Sequence, residues 1–164
     1  MPFSPIITER LLIRRLHADD AITLARYRSI PEVARFQSWP DCSLQQAQDL
    51  IAEMDESSPA VIGKWFQFGI ELKETGALIG DIGFLNTDES GKSWIGFTLD
   101  SQYWRRGLAT EAVGAILAFY STIGITTIWA STDPANTASQ KVLKKLGFVL
   151  FESDPEDSIY KKIG

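Results

Sequence analysis

The stretch that most narrows the fold runs from Trp94 to Tyr120, where a strand-like run passes through a glycine-bearing turn into a helical run. Trp94-Ile-Gly-Phe-Thr-Leu99 has the apolar, β-branched and aromatic character of a strand. From Leu108 onward, Ala109, Ala112, Val113, Ile116, Leu117 and Tyr120 recur at helical spacing on one face. Between the two lies Trp104-Arg-Arg-Gly-Leu-Ala-Thr-Glu111, with Gly107 at the helix start and two arginines just before it. The first N–H groups of a helix have no intrahelical acceptor and stand at the positive end of its dipole. Gly107 lets backbone approach a bulky anion closely. The N–H groups from Gly107 through Leu108 and Ala109 to Thr110, with the Arg105 and Arg106 guanidiniums, are the chemistry of a phosphate site, most naturally a pyrophosphate. The spacing is neither a Walker A loop nor G-x-G-x-x-G. A glycine turn flanked by two solvated arginines is the commoner arrangement in proteins, and on these residues alone it stays open.

Composition removes several alternatives. A chain of 164 residues, 45% hydrophobic and 23% charged, fits one ordinary globular domain with a sizeable core. Its formal net charge of −5 argues against a general nucleic-acid or anionic-membrane binder and is compatible with a cationic substrate such as an amine. Cys42 is the only cysteine and His17 the only histidine, so a disulfide framework, a zinc site and Ser-His-Asp or Cys-His catalysis are not expected. His17 reads as structural or solvent-exposed, and Cys42, with no base near it in sequence, as an inert thiol. Met1-Pro-Phe-Ser-Pro5 is not a signal peptide and no apolar run reaches membrane-spanning length, so a cytoplasmic location is expected.

In chain order, residues 6–15 read as one edge or half-buried strand, and 21–29 as a short helix after the capping residues Asp19 and Asp20. Residues 31–40 read as a loop in which Phe36 and Trp39 form either a core lid or a substrate wall. Asp41-Cys-Ser43 caps a helix to about Asp55. Strands over 64–72 and 77–85, a hairpin turn at Lys73-Glu-Thr-Gly76 and a third strand to Asp100 make an antiparallel meander. Gly124 ends the central helix, and 126–131 reads as a strand. Asp133-Pro134 then looks like an N-cap with proline at the first helical position, opening a helix to Leu146 that Gly147 stops. Strands over 148–151 and 158–162 close the chain. This order implies an α/β (α+β) architecture, a mixed and mostly antiparallel sheet flanked by helices in a single domain over 1–164, with the phosphate-type turn at a strand's C-terminal end.

Three separated pieces resemble the GNAT acetyltransferases, in particular the branch typified by ribosomal-protein N-terminal acetyltransferases. They are Thr8-Glu-Arg-Leu-Leu-Ile-Arg14 with Asp20, Tyr103-Trp-Arg-Arg-Gly-Leu-Ala-Thr-Glu-Ala112, and Asn136-Thr-Ala-Ser139 followed by Lys145-Leu-Gly-Phe148. The resemblance implies transfer of acetyl from acetyl-CoA to a primary amine, a protein N-terminus or a small molecule, by direct attack in a ternary complex. It implies a pyrophosphate held by Arg105, Arg106 and the N–H groups from Gly107 to Thr110. It also implies a pantetheine arm paired like an added strand with the backbone of Phe97, Thr98 and Leu99, one N–H there polarising the thioester carbonyl. Asn136 and Ser139, three apart, share a helical face that in the family points at the pantetheine arm and sulfur; the bland reading makes Asn136 a helix cap and Ser139 a solvated hydroxyl. No metal, nucleic acid or membrane partner is implied, and dimers are common in that branch.

The chain departs from the family at two places. Many members carry a tyrosine general acid where this chain has Leu143, which leaves Ser139 as the best local proton donor to the thiolate. The branch often carries a glutamate where this chain has Trp94. A carboxylate base would then be Asp81 first and Glu71 second, with a water chain an equal alternative. Three functions follow in order: the N-acetyltransferase; an acyl-CoA-binding regulatory domain with little or no catalysis; and an ATP-binding module, which lacks a P-loop lysine and an acidic metal-binding pair.

Overall fold

The computed structural model describes residues 3–164, so the reading of Met1 and Pro2 lies outside the described residues. Its eight strands form one sheet, ordered across it as Ile6–Ile7, Leu11–Arg15, Trp65–Leu72, Ala77–Leu85, Ser93–Leu99, Thr127–Thr132, Ser158–Ile163 and Val149–Ser153. The segment expected as one strand over 6–15 is a hairpin, β1 (Ile6–Ile7) and β2 (Leu11–Arg15). Thr8 turns it, its N–H donating to the Leu11 carbonyl at 2.9 Å and its hydroxyl oxygen accepting from Leu11 N at 3.0 Å. The expected meander is present as β3 (Trp65–Leu72), β4 (Ala77–Leu85) and β5 (Ser93–Leu99), each antiparallel to the next.

Helices cover both faces. α1 (Ala21–Arg28), α2 (Pro31–Ala34) and α3 (Leu44–Asp55) lie on one side. α2 sits inside the stretch expected as loop, with proline at its first position, where the missing N–H costs nothing. Ser43 and Gln46 cap α3 reciprocally, Gln46 N donating to Ser43 Oγ at 3.1 Å and Ser43 N to Gln46 Oε1 at 2.8 Å. Leu16, Leu24, Tyr27, Ala47, Ile51 and Leu78 form the small core beneath these helices. The larger core lies on the other face, under α4 (Leu108–Thr122), whose Ala112, Val113, Ile116 and Tyr120 are buried at helical spacing. The Tyr120 ring stacks on Phe84 with centroids 3.5 Å apart, and burying each such ring contributes about 2–3 kcal/mol.

β6 (Thr127–Thr132), α5 (Thr137–Lys145), β7 (Val149–Ser153) and β8 (Ser158–Ile163) complete the chain, β8 lying between β6 and β7. The expected helix start at Asp133-Pro134 is corrected. Asp133 Oδ1 accepts from Ala135 N at 2.8 Å in a turn, and Asn136 is the true N-cap, its side chain accepting from Ser139 N at 3.1 Å. Among the described residues β5 and β6 form the one parallel pair, and they touch only at Ser93–Ile128 and Trp94–Trp129. Beyond that point they diverge, so Ile95 to Leu99 keep β4 on one side and no strand on the other. The result is a wedge open toward the C-terminal ends of both strands. Among the described residues no helix is long and apolar enough to cross a membrane.

Candidate functional site

The turn after β5 presents the geometry that an anion needs. Gly107 has φ 75° and serves as N-cap of α4 without a side-chain cap, leaving the first N–H groups of the helix uncapped by any side chain. Glu111 N is the first to bond back, to Gly107 O at 3.1 Å. Arg105 also adopts a left-handed backbone, φ 63°, so the chain curls twice within three residues. The Arg105 and Arg106 side chains are exposed, and neither forms an ion pair among the described residues. Two guanidiniums free of ion pairs, that of Arg106 lying over the Tyr103 ring at 5.7 Å, thus stand beside an open helix start at the mouth of the wedge.

A clamp from the far end of the sheet holds this turn. The Glu111 carboxylate accepts from Thr8 Oγ1 at 2.5 Å, Arg10 N at 2.9 Å and Arg10 Nε at 2.8 Å. Arg10 Nη1 donates onward to Arg106 O at 2.8 Å. Burial pushes the Glu111 carboxyl up, but the bonds from Thr8 and Arg10 outweigh it and hold the group below its usual range. The β1–β2 turn and the first turn of α4 therefore fix each other, a long-range contact that no local signal in the sequence announces.

The β5 edge is set by alternation. Asp100 N donates to Ile79 O at 2.8 Å, so polar backbone groups of alternate residues back along β5, Thr98 among them, point toward β4. Those of Phe97 and Leu99 point into the wedge, and there Trp104 Nε1 already donates to Leu99 O at 2.8 Å. Of the three residues expected to pair with a pantetheine arm, Phe97 keeps both groups free and Leu99 its N–H among the described residues, while those of Thr98 face β4.

On the opposite wall, α5 begins directly after β6. Asn136 caps the helix with its side chain, the bland role foreseen for it. Ser139 is half-buried on the first turn, and among the described residues its hydroxyl makes no hydrogen bond. Leu143 is 1% exposed and belongs to the main core.

Asp81 is fully buried and saturated. Its carboxylate accepts from Tyr27 Oη, from Arg28 Nη2 at 2.6 Å and from Gln67 Nε2 at 2.7 Å. Burial, then the adjacent carboxylate, pushes the Tyr27 hydroxyl well above its ordinary range. Arg28, which burial alone would weaken as a cation, is held above its range by Asp81. Trp39 stacks on Arg28 at 4.1 Å and donates from Nε1 to Arg28 O at 3.0 Å, tying the 31–40 segment to this cluster. Glu71 pairs with Arg14 at 3.3 Å, and Arg14 pairs with Asp20 at 2.8 Å. Asp100 is likewise enclosed, with Arg26 at 2.7 Å. Cys42 is half-buried and burial pushes its thiol up, in keeping with an inert role. A separate hollow of about 290 Å³ along α4, lined by Leu117, Ile128, Leu146 and Lys162, contains none of the expected site residues.

The model of the acetyltransferase (GNAT) domain family matches residues 10–149, most of the chain. The chain belongs to the GNAT acetyltransferases. It is 35% identical over 146 residues to "Uncharacterized N-acetyltransferase p20" of Bacillus licheniformis, covering 87% of this chain and 81% of that one. It is 30% identical over 148 residues to "Uncharacterized N-acetyltransferase YoaA" of Bacillus subtilis, at 88% and 82% coverage. Among solved structures, an acetyltransferase from Agrobacterium tumefaciens superposes with a TM-score of 0.81 at 25% identity, covering 100% of this chain and 96% of that one. RimL, a ribosomal L7/L12 alpha-N-protein acetyltransferase solved with coenzyme A, superposes at 0.82 with 16% identity and 98% coverage of both chains, which shows the shared fold.

The protein is therefore an acyltransferase of a family that uses acetyl-CoA, with an open, mostly antiparallel sheet of eight strands. The donor set fits that molecule: cations and helix N–H groups for the diphosphate, and a free strand edge for the amide-bearing arm. Among the described residues no cluster of three histidine, cysteine or acidic side chains is arranged to hold a metal. Sequence reasoning quoted Arg10, Trp104 and Glu111 only within longer stretches and gave no role to them or to Tyr27, Arg28 and Gln67, all of which act through other residues.

Proposed function

We propose that the chain transfers acetyl from acetyl-CoA to a primary amine by direct attack in a ternary complex. One observation carries the reading: the wedge beside Phe97 opens onto the same turn that presents Arg105, Arg106 and the uncapped start of α4. Acetyl-CoA supplies the activated thioester. The amine nitrogen bonds to the acetyl carbon, the C–S bond breaks, and the N-acetyl amide and the CoA thiol are formed. In this reading Arg105, Arg106 and the N–H groups from Gly107 to Thr110 anchor the diphosphate, and Phe97 N–H is the donor for the carbonyl oxygen. Ser139, an unengaged hydroxyl across the wedge, gives a hydrogen bond to the departing sulfur. The buried Asp81 has three donors and a guanidinium partner, so it serves as a positioning residue and the ammonium proton leaves through water. The acceptor class is a protein N-terminus, as for RimL, a ribosomal L7/L12 alpha-N-protein acetyltransferase, or a small-molecule amine.

A turnover assay tests this. Purified protein, acetyl-CoA and a panel of peptide and small-molecule amines are expected to release free CoA in an amine-dependent way. Tight acetyl-CoA binding with no CoA release from any amine would instead establish the acyl-CoA-binding regulatory domain.

A further inference from the structure

The sheet face beneath α1 and α3 carries three rows of register partners across β3, β4 and β5. They are Trp65–Leu85–Trp94, Gln67–Gly83–Gly96 and Gly69–Asp81–Thr98. Partners directly opposite share a face, and a Cβ at Gly69 would meet Leu16 of the small core at 3.1 Å, which identifies the side. The middle row is low. A Cβ at Gly96 would meet no heavy atom within 4 Å, and at Gly83 it would meet Gln67 Oε1 at 2.7 Å and Trp65 Cε3 at 3.2 Å.

Two walls flank that row. One is Trp65, 47% exposed, with Leu85 and Trp94; the Trp94 ring is fixed by Nε1 donating to Asp88 Oδ2 at 2.9 Å and by Trp129, 6.1 Å away. The other is Asp81 with its cover of Tyr27 and Arg28, and with Trp39 stacked on Arg28. The trough runs toward the β5 edge, and Gly96 is the first residue on this face past the point where β6 departs. It therefore opens into the wedge where the thioester belongs.

Its chemistry selects a class of amine. The only carboxylates on β3, β4 and β5 are Glu71 and Asp81, and both are ion-paired with arginines. A polycation would find no free counter-charge on these strands, whereas indole faces attract both an apolar body and a single ammonium. Gln67 adds direction. A carboxylate only accepts, so Gln67 must present Nε2 to Asp81, and Oε1 is left beside Gly83 as an acceptor. We propose that this trough binds the acceptor, and that the acceptor is a primary amine on an aromatic or apolar body, held over Gly83 and Gly96 against Trp65 and Trp94 with its N–H directed to Gln67 Oε1. This rests on the acetyltransferase reading.

The test uses the full chain, with phenylethylamine, a hexapeptide beginning with phenylalanine, and spermidine as probes. The parent is expected to favour at least one of the first two over spermidine by about tenfold or more in kcat/KM. Which of the two is better tells a small amine from a protein N-terminus. Gly96→Val places methyl groups in open space, so it folds, and it is expected to raise the KM for the preferred amine about tenfold while acetyl-CoA affinity stays within about twofold. Preference for spermidine, or an unchanged amine KM in Gly96→Val, overturns the proposal. Indole N–H signals of Trp65 and Trp94, followed by NMR on the CoA-loaded protein, separate the two levels of inference. Shifts on adding phenylethylamine or the peptide without turnover support the trough and sink the catalytic reading, and no shift at millimolar amine sinks the trough itself.

Discussion

Replacing Glu111 by alanine tests whether the phosphate turn owes its shape to the clamp from β1 and β2 rather than to its own sequence. The carboxylate accepts three hydrogen bonds from Thr8 and Arg10, and Arg10 passes one on to Arg106 O. Without Glu111, Arg10 loses its counter-charge and its reason to stay against that carbonyl. The turn then keeps Arg105 at φ 63° unaided, a region that costs a non-glycine residue on the order of 1 kcal/mol. Hydrogen bonds to charged groups contribute about 1.5–3 kcal/mol each. Arg10 is 43% exposed, however, so water replaces much of what is lost, and about 2 kcal/mol for the whole clamp is the appropriate scale. Since about 1.4 kcal/mol is tenfold in affinity, acetyl-CoA Kd should rise by up to about thirtyfold, with a lower melting temperature. Calorimetric titration and thermal melting measure both. pH supplies a second signature. Because the folded carboxyl titrates below its ordinary 4.5, its contribution is complete above that value and is lost as pH falls through the lower folded value. The stability gap between the parent and Glu111→Gln should therefore close in acid. An alanine variant with parental melting temperature and acetyl-CoA affinity within about twofold would refute the clamp.

Further expectations follow from the same geometry. Gly107→Asp puts a side chain on a φ of 75° and a negative charge where the diphosphate belongs, so acetyl-CoA binding should vanish from titrations of a folded protein. Alanine at both Arg105 and Arg106 should raise the acetyl-CoA Kd by about ten- to a hundredfold, and high salt should shrink the difference. Asp81→Asn separates positioning from proton abstraction: as a positioning residue it gives a loss in amine kcat/KM that is flat across pH, whereas a base gives a loss that fades at high pH. Ser139→Ala should slow single-turnover acetyl transfer by roughly ten- to a hundredfold with acetyl-CoA affinity intact, and a parental rate would leave water as the proton donor to the thiolate.

The parts legible in the sequence are those encoded locally. Gly107, the apolar spacing of α4 and the Lys73-to-Gly76 turn each specify their own backbone, and the structure places all three as read. Where two local signals competed, sequence reasoning chose the familiar one: Asp133-Pro134 carries the proline signature, yet Asn136 caps α5 because its side chain reaches Ser139 N. The short β1–β2 hairpin was hidden for a similar reason, since Thr8 turns the chain through bonds to Leu11 that an apolar-polar pattern does not register. The roles of charged side chains were least legible. Asp81 in an apolar strand reads as a candidate base, and only the fold shows Arg28, Tyr27 and Gln67 converging on it from two other elements. Glu111 is similar, because its partners lie about a hundred residues earlier in the chain.

Two tethers make the cofactor turn part of a longer mechanical path. Trp104 Nε1 fastens it to Leu99 O at the end of β5, and Arg10 fastens it to the β1–β2 turn at the opposite edge of the sheet. Together they fix the diphosphate turn relative to the Phe97 N–H that would meet the thioester. Acyl transfer needs both ends of a long, flexible donor to be in register at once, and a misplacement of about 1 Å is enough to cost two orders of magnitude in rate. A loop free to move against β5 would still bind the diphosphate, but it would present the carbonyl over a range of positions. The tethers thus bear on kcat as much as on affinity. The same reasoning places the buried Asp81 cluster on the acceptor side, where it fixes Gln67 as Glu111 fixes Arg10. In the proposed reading both carboxylates act through another residue, Asp81 by orienting Gln67 toward the acceptor and Glu111 by holding Arg10 against the diphosphate turn.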